Sequence, residues 1–218
     1  MSLKVKVKSE AVEYPPIPEG AYTAICYTIA DLGEQYNDKF KKTANKVMFI
    51  WEIVDDDLRI DIDGEMKRRA ISKQYTASFA QKSNMYKDIR PWIGREFTKE
   101  EQEGTFDLTS LIEKGCLLNI TNDKAADGKV YANVSSVMPL PKGIKVGKPE
   151  NPVVIYDMDE SGDDVKQKLP EWVQKIIDRS RNADISNANK TDVAFDPETG
   201  EVTGELPFDD IEDIVDEG

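Results

Sequence analysis

The chain of 218 residues contains no histidine and only two cysteines, Cys26 and Cys116. Without histidine it lacks the side chain most often used as a general base near neutral pH and as a nitrogen ligand for zinc. The two cysteines stand far apart and form no Cys-x-x-Cys pair, a usage that fits a reducing compartment. There is no glycine-rich phosphate loop and no Gly-x-Ser-x-Gly elbow. Nothing approaches 18 consecutive apolar residues, and MSLKVKVKSEAVEYPP has no apolar run that could act as a signal peptide. These absences predict a cytoplasmic protein that is not an enzyme, needs no cofactor or metal, and has no membrane span.

Positive charge is scarce in one region only. Residues 1–150 carry 23 Lys/Arg and 23 Asp/Glu, which leaves 6 and 19 for residues 151–218. The net charge of −13 therefore belongs to the C-terminal third, and the body is neutral with local basic clusters. From Glu205 to Gly218 the chain has seven acidic residues and no cation, with Leu206, Phe208 and Ile211 set among Asp209, Asp210 and the others. Burying unpaired carboxylates costs several kcal/mol, so this end reads as a disordered acidic interaction tail.

Alternation and turn residues divide the body into elements. AYTAICYTI predicts a strand over Gly20–Ile29, and the polar stretch Asp31–Asn45 a loop. KVMFIWEIV (Lys46–Val54) alternates with period two, which puts Val47, Phe49, Trp51 and Ile53 on one core-facing side. A third strand follows at Ala70–Ser78. Met85, Ile89 and Trp92 are spaced for a helix over Ser83–Gly94 limited by Pro91, and Thr98-x-x-Glu101 marks a further helical turn. Strands return at Cys116–Thr121 and Lys129–Val137, joined by a hairpin loop with Asp127-Gly128. PLPKGIKVGKPENP reads as an exit linker, and Pro170–Arg181 as a short amphipathic helix whose Trp172 docks on the body or on a partner. The order is that of a five-stranded OB-fold barrel with a helix between strands three and four, mainly β, plus a short C-terminal helix and the tail. The expected domains are 1–150 for the barrel, 151–182 for a linker with its helix, and 183–218 for the tail.

Three clusters combine cations with aromatic rings, the pairing that single-strand binding requires. The first is Tyr36, Lys39, Phe40, Lys41 and Lys42; the second Lys67, Arg68, Arg69, Lys73 and Tyr75; the third Lys124, Lys129 and Tyr131. In an OB barrel these positions would converge on one groove. Each cluster alone reads more readily as an ordinary charged loop, and it is their joint placement in one groove that favours binding. The carboxylates Asp55, Asp56, Asp57, Asp61, Asp63 and Glu65 could serve a metal-dependent nuclease, but such a run is ordinarily a solvated turn. A third alternative is a non-enzymatic acidic interaction protein or DNA mimic.

IPEGAYTAIC, WIGREFT, GCLLNIT, GKVYANVSSVMPLPKG and LPEWVQKII together resemble the OB-fold single-stranded DNA-binding proteins of tailed bacteriophages. LPFDD looks like the acidic, Phe-bearing tail end of bacterial and phage single-strand binding proteins. The resemblance implies sequence-tolerant binding and protection of single-stranded DNA in phage replication or recombination, in the host bacterial cytoplasm. It also implies a tail that recruits replication or recombination proteins and competes with DNA. A homodimer is left open.

Overall fold

The computed structural model describes residues 14–181 except 39, 63, 126 and 127, together with the backbone of 194–196 and 201–203. The expected tail contacts Leu206, Phe208, Asp209, Asp210 and Ile211 lie outside the described residues, as do Lys39 and Asp63. The fold is mainly β. Its long strands are β1 (Gly20–Asn37), β2 (Lys42–Ile53), β5 (Ala70–Thr76), β6 (Gly115–Lys124) and β7 (Val130–Met138). They form an antiparallel sheet in the order β5-β2-β1-β6-β7. A small hairpin, β3 (Ile60–Ile62) and β4 (Glu65–Lys67), fills the connection from β2 to β5. A strand β8 (Val154–Tyr156) joins β1 in parallel through Thr28–Ala30. Residues 194–196 and 201–203, within the stretch expected to be disordered, pair as a short antiparallel hairpin.

β1 is much longer than the sequence pattern suggests. The stretch expected as a loop over Asp31–Asn45 instead continues β1 to Asn37, turns over four residues, and returns as β2 from Lys42. Two irregularities in register, at Cys26/Thr28 and Asp31/Gly33, bend β1. This allows one strand to feed two cores. Ala24, Cys26 and Ile29 join Val47, Phe49 and Trp51 of β2 on the inner face, whereas Ala30 and Leu32 join Met48 and Ile50 on the outer face.

The inner face is covered by helix α1 (Asn84–Ile93). Ser83 caps it by accepting from the Tyr86 amide at 3.1 Å, and Gly94 ends it in the left-handed region at φ 71°. The helix runs through Pro91 for two more residues, so that proline does not stop it as expected. Met85, Ile89 and Trp92 are buried, and the Trp92 indole donates to the Gly115 carbonyl at 3.0 Å. Phe49 stacks on Trp51 with ring centroids 5.7 Å apart, and Tyr75 and Trp92 meet Phe49 edge-on. The expected capping box forms as well, because Thr98 and Glu101 each accept the other's backbone amide.

The sheet path is open between β5 and β7, and a side chain on α1 spans the opening. Asp88, itself buried, accepts from the Tyr75 hydroxyl and from Lys73 Nζ, both at 2.8 Å, and from the Val137 amide at 3.4 Å. One carboxylate thus ties the third strand of the body to the fifth.

The outer face is covered by the C-terminal segment. A single-turn helix α2 (Asp163–Lys166) leads into helix α3 (Glu171–Arg181), which with β8 packs Val173, Ile177, Val154 and Tyr156 on Ala30, Leu32, Met48 and Ile50, with Trp172 partly buried against them. The short amphipathic helix expected over Pro170–Arg181 forms as α3, and it packs on the body together with β8, Trp172 docking there as well. Residues 139–151 form a strap over the adjoining part of the same face. There Gly115 of β6 and Glu52 of β2 flank Ile25 of β1 in one cross-strand row. A Cβ on Gly115 would lie 2.5 and 2.6 Å from the side chains of Val146 and Leu140, so only glycine lets the strap close on the sheet. Glu52, fully buried, accepts from the Glu150 amide at 2.9 Å and from both the backbone and side-chain amides of Asn151.

Candidate nucleic-acid interface

The first expected cluster is held at the tip of the β1–β2 ribbon. Beyond the Gly33–Lys46 pair the two strands pair only with each other, out to Asn37 and Lys42. The Asn37 side chain accepts from the Phe40 amide at 3.1 Å, which rounds the turn, and Lys41 takes a positive φ of 53° within it. Tyr36 is half-buried beside Thr43, while Phe40, Lys41 and Lys42 are exposed; Lys41 lies 3.6 Å from Asp38. On the other side of the ribbon, Gln35 donates to the Ile176 carbonyl of α3 at 3.1 Å. A helix therefore buttresses one side of the ribbon near its tip, where the ring of Phe40 and the charges of Lys41 and Lys42 meet solvent.

The second cluster is a different kind of feature, and its expected role is corrected by burial. Tyr75 is 3% exposed, with its ring in the core and its hydroxyl on Asp88, so neither ring face is open for a base. Lys73 is paired with the same Asp88 and lies 5.2 Å from the centre of the Tyr75 ring. Arg68 reaches Glu52 at 3.3 Å and Glu150 at 3.2 Å, and donates to the Lys148 carbonyl. Arg69 donates to the Pro15 carbonyl at 2.5 Å, and burial pulls its pKa down from the ordinary guanidinium value. These cations hold the fold together. Lys67 is exposed, 3.3 Å from Glu65.

The third cluster sits on the β6–β7 hairpin. Lys124 is exposed at the end of β6, Lys129 and Tyr131 are half-buried, and Tyr131 stands opposite Asp123. The register places the first and third clusters toward the two ends of β1. β6 pairs with Gly20–Ile25 and runs past the start of β1, while the Tyr36–Lys42 tip lies at the far end of that 18-residue strand. At about 3.3 Å per residue the two tips occupy opposite ends of the strand, with its bends between them.

The carboxylate turn at 55–65 is tied into local structure. Asp55 accepts from the Asp57 amide and Asp61 from the Gly64 amide, while Asp56 and Glu150 pair with Arg59 at 2.8 and 2.5 Å. Hydrogen bonding to Arg59 holds both of the latter carboxyls below the usual range. Among the described residues no group of three or more His, Cys, Asp or Glu side chains is placed to hold a metal ion. Nor is any helix there long and apolar enough to cross a membrane.

The sequence reading overlooked Glu52, Asp88 and Gly115, which position the segments around these clusters. Glu52 falls in a strand read as apolar and Asp88 in a helix read by its hydrophobic spacing. An acidic residue amid such runs is the signal that a buried partner exists elsewhere in the chain. No family model matches the chain, and no curated protein matches it in sequence.

Proposed function

We propose that this chain is an OB-type single-stranded DNA-binding protein that coats DNA with little regard to sequence, in the manner of the phage proteins it resembles. Support comes first from the sheet path. Of the five long strands the first lies between the second and the fourth, and a helix between the third and fourth packs under the opening between β5 and β7. That arrangement suits a partly open OB barrel, whose loop between strands one and two binds oligonucleotides. The observation that carries the reading is the tip of that loop, where Phe40 is exposed between cations on a buttressed ribbon. Rings there would stack on bases and the lysines would follow the phosphates. The acidic C-terminal end would recruit replication or recombination proteins and compete with DNA for the same cations.

The test is titration of labelled oligo-dT. Binding is expected to weaken steeply with salt, because phosphate contacts release condensed counterions. Removal of Glu205–Gly218 is expected to tighten it. A protein that fails to bind oligo-dT even without those residues would instead be an acidic interaction protein.

A further inference from the structure

The strap over the outer face has chemistry of its own. Residues 128–149 contain Lys129, Lys142, Lys145 and Lys148 and no acidic residue. Lys142 sits on a turn closed by the Ile144 amide donating to the Pro141 carbonyl at 3.2 Å, and Lys145 and Lys148 follow in chain without regular secondary structure. All three lysines are exposed, and Ile144 between them is 45% exposed. Among the described residues none of the three has an ion-pair partner, whereas Arg59, Arg68, Lys73, Arg90, Arg95 and Lys166 are each paired with a carboxylate. The backbone beneath them is fixed at both ends. Leu140 and Val146 lie on Gly115, the Lys148 carbonyl accepts from Arg68, and the amides of Glu150 and Asn151 are bound to Glu52.

A row of unneutralised cations on an already ordered backbone binds an extended polyanion without the cost of ordering a loop. Lysine ammonium groups are point charges suited to phosphate, and phosphate contacts carry no sequence information directly. The strap also lies against the β1–β2 sheet from which the ribbon tip projects. We propose that the strap's outer surface, Lys142, Lys145 and Lys148 around Ile144, is a phosphate-binding track for single-stranded nucleic acid, additional to the ribbon tip. The inference rests on the nucleic-acid reading above.

The experiment titrates fluorescein-labelled oligo-dT at several salt concentrations with three full-length proteins. They are the wild type, a variant with Lys142→Gln, Lys145→Gln and Lys148→Gln, and one with arginine at the same three positions. The glutamine variant is expected to lose at least about tenfold in affinity near 0.1 M salt. Its slope of log K against log salt should fall by about 2, since each single-strand phosphate contact contributes about 0.7. The arginine variant should keep both. If the wild type binds and the glutamine variant matches it in affinity and slope, the track is overturned and the broader reading stands. If the arginine variant loses as much as the glutamine one, the lysines act through structure rather than charge, which also overturns it. If the wild type does not bind, even after removal of Glu205–Gly218, the nucleic-acid reading falls and the track falls with it.

Discussion

The two sides of β2 meet very different partners. Val47, Phe49, Trp51 and Ile53 enter a core closed by helix α1, joined by contacts between rings and aliphatic chains. Met48 and Ile50 on the other side meet the C-terminal segment, but Glu52 beside them fixes the strap through four hydrogen-bond donors. The β2 residues on the first side need only apolar surface of suitable shape, since the buried Asp88 there bonds to β5 and β7 rather than to β2. The second depends on one buried carboxylate finding a guanidinium and three amides supplied by residues far away in sequence. Apolar packing tolerates variation in its partners, whereas an unpaired buried charge is costly, so the strap side is the more brittle design.

Substitutions on the two sides should separate these modes. Trp51→Ala removes a fully buried ring from the inner core and is expected to destabilise the protein by about 4 kcal/mol, measured by urea unfolding. Glu52→Ala leaves the Glu150 and Asn151 backbone amides without their acceptor, takes from Arg68 one of its two carboxylate partners, and should cost about 3 kcal/mol. Its distinguishing sign is local. Amide exchange should rise over residues 144–151 in Glu52→Ala, beyond any rise in α1, whereas Trp51→Ala should loosen α1 first. Uniform exchange changes in both variants would erase the distinction. A third substitution asks which cations and rings face a ligand. Phe40→Ala should weaken oligo-dT binding by about 1–3 kcal/mol, the range for loss of one stacking ring. Tyr75→Phe should lower stability through the lost bond to Asp88 and leave binding unchanged.

The legibility of the sequence followed the same division. Period two placed Phe49 and Trp51 in the core, and helical spacing did so for Met85, Ile89 and Trp92, because such burial is encoded locally. The same alternation puts Lys73 and Tyr75 on the side of Ile71, yet their charge and ring suggested a ligand. What settles them inside is Asp88, on another element and invisible to any pattern along the strand. The sequence of the ribbon reads as a loop because Asp31–Asn45 is polar, a composition its two strands can tolerate since they pair chiefly with each other near the tip. That of the strap reads as a linker because its anchors, Gly115 and Glu52, come from strands distant in sequence.

The smallest expected effect concerns the cysteines, which both lie on the inner side. Cys116 stands opposite Ala24 across β1 and β6, and Cys26 lies two residues along β1; both are fully buried. Burial pushes both thiols up from their ordinary value near 9, and for Cys26 the neighbouring Cys116 adds to the rise. A folded-state pKa raised above the unfolded one means that the native state holds its protons longer. No stability is lost below the unfolded value, and stability should decline with rising pH once the unfolded thiols begin to ionise. At pH 8 the native protein should resist iodoacetamide, since the reactive species is the thiolate and neither sulfur is accessible. Addition of urea should release both thiols together with the unfolding transition. Rapid labelling of either cysteine in the native protein would show that the inner core opens locally, and the contrast drawn between the two sides of β2 would then fail on the side held by packing alone.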